Sequence, residues 1–132
     1  MSVSNILRDE ALLSLRPVVE FDAEKALPAE LFQGKTLRPL LKFQNEWLLL
    51  RMKEYISKKQ KNFGALGPEA QKQFIDHAVK FDKLFRAEIT GTVYGLMTAA
   101  EAQFVNENKS DVSKRLTQLI IERFVSQIDR LL

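Results

Sequence analysis

Residues 36–61 read TLRPLLKFQNEWLLLRMKEYISKKQK. Apolar residues return every three or four positions and never alternate, which is the spacing of a helix and not of a strand. At 100° per residue, Leu40, Phe43, Trp47 and Leu50 cluster, and Leu37, Leu41, Leu48 and Tyr55 widen the arc beyond half the circumference. So broad an apolar face predicts a central helix covered by several neighbours. Thr36 is the expected N-cap, and Pro39 is tolerable in the first turn. Arg51 falls inside the apolar arc and needs a partner there, and Glu88 is the candidate.

Outward from this stretch the same periodicity continues. A first helix is expected over Ser4–Leu15, stopped by Pro17. Residues 17–35 are expected to be irregular or a short helix, punctuated by Pro28 and Gly34. A third helix should open at Pro68 with Phe74, Ala78, Phe81, Phe85 and Ile89 as its core stripe. It should run on through Val93, Leu96, Ala100 and Phe104, with a bend near Thr90–Gly91. A second stripe of small residues, Gly91, Gly95, Ala99 and Ala102, should let another helix approach closely. Asn106–Lys109 is expected to be a loop, and the last helix to bury Leu116, Leu119, Ile120, Phe124 and Ile128. The sum is one all-α domain over residues 1–132, a compact bundle of four to five helices.

Composition narrows the function. The 132 residues include no cysteine, which excludes disulfides and thiolate metal sites and fits a cytoplasmic home. The longest apolar run is Trp47–Leu50, too short for a membrane span. His77 is the only histidine, at the edge of an apolar stripe, where a packed or satisfied residue is expected. No catalytic motif or metal-ligand spacing is present, so neither an enzyme nor a cofactor is expected.

Charge is distributed unevenly. Residues 1–34 carry three basic against six acidic side chains, residues 35–86 twelve against five, and residues 87–132 five against six. The middle therefore holds +7 of a net +3 chain, a sign of a polyanionic partner. Lys35, Arg38, Lys42 and Lys53 form one stripe, and Lys72, Lys83 and Arg86 another. Between them lies YISKKQKNFGALG, residues 55–67, with Lys58, Lys59 and Lys61. Lysines in a last turn followed by glycine are explained by the helix dipole and the C-cap alone. Yet the Pro68 helix start adjoins them, and free N–H groups there suit an anion. Phe63 could stack on a base or cap the core. If the two stripes share a surface with this loop, the ten cations would bind a nucleic-acid backbone, RNA or DNA. A helical adaptor acting by protein–protein contact is the alternative.

The stretches LRPLLKFQNEWLLLRMKEYISKKQKNFG and QKQFIDHAVKFDKLFRAEITG, within residues 37–91, resemble the helical small subunit of CRISPR Cascade-type effector complexes. The resemblance lies in a small, basic, cysteine-free, all-helical organisation. It implies a non-catalytic subunit of a ribonucleoprotein in antiviral defence. Its basic face would hold guide RNA, target DNA or the displaced strand, beside other subunits and further copies of itself.

Overall fold

The computed structural model describes residues 3–20 and 27–132, and every regular element in them is helical. The expected irregular stretch is therefore seen only in part, since residues 21–26 lie outside the described residues. Helix α1 spans Val3–Ser14, and α2 spans Pro28–Phe32. A π-helical turn, Gln33–Leu37, joins α2 to α3, Arg38–Phe43, and then come α4, Asn45–Lys59, and α5, Pro68–Phe81. Next are α6, Lys83–Tyr94, α7, Ala99–Glu107, and α8, Lys109–Val125. Short 3-10 turns cover Phe63–Ala65 and Ile128–Leu131.

The all-α class is as expected, but the segments outnumber four or five. The helix expected to start at Thr36 starts at Pro28 and runs straight through Gly34 and Thr36, both buried. Pro39 has no N–H to give residue 35, and the wider π turn lies just before it. At Gln44 the backbone leaves helical geometry, with φ −90° and ψ 5°, and α4 starts at the next residue. The long third helix is also divided. Asp82, at φ −83° and ψ 99°, ends α5 and caps α6 by accepting the Phe85 N–H at 3.1 Å. Thr98 and Glu101 form a reciprocal capping box that starts α7. The expected loop at 106–109 shrinks to one junction residue, Asn108.

Helix α8 is the axis of the molecule. It packs on α5, on α7 and on the π turn, while α4 packs on α6 and on the C-terminal 3-10 turn. Leu116, Ile120 and Phe124 of α8 are fully buried among Leu37, Leu40, Leu41, Leu48, Met52, Ile75, Val79 and Ile89. Burying a side chain of this size contributes about 1.5–3 kcal/mol. The inward face of α4 is Leu48, Leu49, Met52 and Ile56, not the cluster expected from its centre. Phe43, Trp47 and Leu50 are exposed, Leu50 by 61%. The neighbours cover one edge of a broad apolar arc and leave the other in solvent. Phe81, the last residue of α5, is exposed for a related reason, because the chain turns away at Asp82. His77, expected to be packed or satisfied, is exposed, with its ring 5.1 Å from that of Phe81 between centroids.

Candidate nucleic-acid interface

Each proposed cation can now be placed. Arg51 pairs with Glu88 as expected, but at the surface, with its guanidinium 5.7 Å from the centre of the Trp47 ring. Lys58 bonds Glu54 at 3.1 Å, and Lys59 lies near Asp82. Both line a cleft with Glu54, Asp82 and Glu88, whose carboxylates offset them. Lys53 is five residues from Lys58, about 140° around the same helix, so the two face different sides. Lys61, Lys72 and Lys83 are exposed and share no described groove with the others. Lys35 and Lys42 are exposed on the π turn and α3, one turn either side of Arg38.

The loop after α4 is built for the core. Phe63 is 2% exposed and meets Phe74 edge-on, with centroids 5.7 Å apart. The buried Gln71 amide donates to the Phe63 carbonyl at 3.1 Å. Phe63 therefore caps the core and cannot stack on a base. Glu69 stands in the first turn of α5, adding negative charge where an anion would bind.

Arg38 and Arg86 behave differently, because α8 lies between them. The outward crest of α8 carries Lys114, Gln118 and Glu122. On one flank, Arg86 donates to Ser113 Oγ at 2.9 Å, and Lys80 and Phe81 stand beside it. On the other flank, Arg38 faces Arg115 and Arg123. The grooves are continuous: Lys114 and Gln118 line two neighbouring depressions, and Arg38, Leu119 and Glu122 line the next pair. Six cations therefore follow α8, namely Lys80, Arg86, Lys114, Arg115, Arg38 and Arg123, against the two lining carboxylates Asp111 and Glu122. Asp111 is held by Arg115 at 3.1 Å, and Glu122 accepts the Gln118 amide at 3.2 Å. Arg38 and Lys114 have no ion pair among the described residues. Burial, and then the like charge of Arg38, pull the Arg123 pKa below its ordinary value. Arg123 donates to Asn45 Oδ1 at 3.1 Å, a neutral partner. Two guanidiniums thus share a groove with one carboxylate, Glu122, and the net positive lining favours an incoming anion.

The two basic stripes each supply one member to this surface, α5 supplies Lys80, which belongs to neither stripe, and α8 supplies three more from a segment that is net acidic by sequence. Their signal was i, i+4 spacing, Lys114–Gln118–Glu122 on the crest with Arg115 and Arg123 beside it, but it is mixed with acids and has meaning only beside Arg38 and Arg86. Among the described residues no group of three or more His, Asp or Glu side chains could hold a metal ion, and no helix is long and apolar enough to cross a membrane. Comparison with protein-family models, with curated proteins and with solved structures returns no match.

Proposed function

We propose that the chain is a non-catalytic module that contacts a nucleic-acid backbone. The observation that supports this most is the continuous run of cations along α8, from Lys80 and Arg86 to Arg38 and Arg123. Charges so arranged track phosphates without reading sequence, and the affinity falls steeply with salt. The resemblance to effector small subunits adds the expectation of a larger ribonucleoprotein, with other subunits or further copies alongside.

Binding of single- and double-stranded oligonucleotides, measured against salt, tests the proposal. Arg38→Ala with Lys114→Ala should weaken binding and reduce the salt slope on duplex by about 2, roughly 0.9 per lost phosphate contact. Lys53→Ala with Lys58→Ala should change it far less. Equal effects of the two pairs, or none from the first, overturn the proposal.

A helical protein adaptor is the second reading, and α1 favours it. Helix α1 buries none of its residues, and Val3, Ile6, Leu7 and Leu13 face solvent. Loss of copurifying protein in Leu7→Ser, with no oligonucleotide binding by the parent chain, would decide for it.

A further inference from the structure

One depression on the α8 surface has features that a smooth phosphate track does not need. It is a cavity of about 380 Å³ between α5, α6 and α8, lined by Lys80, Phe81, Arg86, Lys114, Thr117 and Gln118. That volume suits a small ligand. No carboxylate lines it. Lys80 is partly offset by Asp76 at 3.0 Å, Arg86 is held by the neutral Ser113, and Lys114 has no ion pair among the described residues. The charged groups around the opening are therefore all donors. Thr117 sits beneath them, only 7% exposed, and its hydroxyl has no hydrogen-bond partner. A buried unpaired hydroxyl is costly. An acceptor-rich group entering beside Lys114 is what this lining lacks. Phe81, at 65% exposure, adds an aromatic face at the rim. Such a ring is uncovered against the hydrophobic effect and is of the kind on which bases stack.

We infer that this cavity is a nucleotide pocket, in which Phe81 stacks one base and Arg86 and Lys114 take its phosphate. The inference deepens the backbone reading and rests on it for the source of the nucleotide, a unit of a bound strand. A free mononucleotide carries the same chemistry, so the test has an arm for each.

The full chain, isotope-labelled for NMR, is titrated with AMP, adenosine, inorganic phosphate and a single-stranded oligonucleotide. AMP should shift the amides of Phe81, Arg86, Lys114 and Thr117 saturably, and bind more tightly than adenosine or phosphate. Phe81 and Lys114 are exposed, so their alanine variants keep the fold. Phe81→Ala should weaken AMP and the oligonucleotide by about 5- to 150-fold, the range of one lost stacked base. Lys114→Ala should weaken AMP and phosphate but not adenosine. No saturable shift at these residues, or parent-like AMP binding by Phe81→Ala, overturns the inference. If the oligonucleotide binds through Arg38 while AMP leaves the pocket unmoved, the pocket falls and the backbone reading stands. If AMP saturates the pocket and the oligonucleotide does not bind, the pocket stands as a mononucleotide site and the backbone reading falls.

Discussion

Tyr55 and Asp82 show how one pair joins two helices. The Tyr55 hydroxyl donates to Asp82 Oδ2 at 2.8 Å, while Asp82 Oδ1 caps α6. Burial first, and then the Asp82 carboxylate, push the Tyr55 phenol up to about 12. The Phe85 N–H, and then Tyr55, hold Asp82 below the usual carboxylate range. The signs follow from linkage. The raised Tyr55 contributes stability below about pH 10 that is lost as pH rises towards 12. The lowered Asp82 contributes stability above about pH 4 that is lost as pH falls through its folded pKa. Asp82→Ala should cost about 1 kcal/mol through the lost cap and bring the Tyr55 midpoint down towards 10 in a spectroscopic titration. A Tyr55 midpoint that stays near 12 would contradict this account. At this scale the sequence is partly legible. Thr98-x-x-Glu101 is a capping box in plain view, and Arg51–Glu88 follows from helical angle. The Tyr55–Asp82 bond spans a loop and all of α5, and is visible only once α4 and α6 lie side by side.

At the scale of elements, the small residues of α6 make the clearest case. Their spacing suggests a groove for a second helix, but Gly91 is exposed and a Cβ there would meet nothing within 4 Å. Glycine inside a helix costs about 0.5–1 kcal/mol relative to alanine. Gly91→Ala should therefore stabilise the protein by that amount, seen as a raised urea midpoint. Gly95→Ala should gain little or lose, because its Cβ would lie 3.1 Å from the Gly91 carbonyl oxygen. A destabilised Gly91→Ala would show that something packs against this face after all. Helix existence was legible here because 3.6-residue periodicity is local. Which edge of the arc is covered was not, as Phe43, Trp47, Leu50 and Phe81 show, because cover depends on the direction of the next helix.

Across the whole molecule, three distant segments meet at Glu101. Arg16 grips its carboxylate with both terminal guanidinium nitrogens, the Thr36 hydroxyl donates to it at 2.9 Å, and the Thr98 N–H donates at 2.9 Å. Burial alone would raise the Glu101 pKa, but the Arg16, Thr98 and Thr36 hydrogen bonds outweigh it and the result is lowered. Its stability contribution is present above about pH 4 and lost as pH falls through the folded pKa. Arg16→Ala should cost about 2 kcal/mol near neutral pH and flatten the acid dependence of urea unfolding below about pH 5. An unchanged acid limb would show that Glu101 is not held by Arg16. The all-helical class, the absence of disulfides and the basic middle of the chain are set by the sequence alone, since periodicity, residue type and charge need no partner. The surface along α8 is decided by the tertiary structure. Arg38 and Arg86 are 48 positions apart, and neither has a groove to line until α8 packs between their helices and brings Lys114, Arg115 and Arg123 beside them. Lysines 58 and 59, the densest charge in the sequence, fold instead beside Glu54 and Asp82, because the electrostatic field of a charge depends on its neighbours in space and not along the chain.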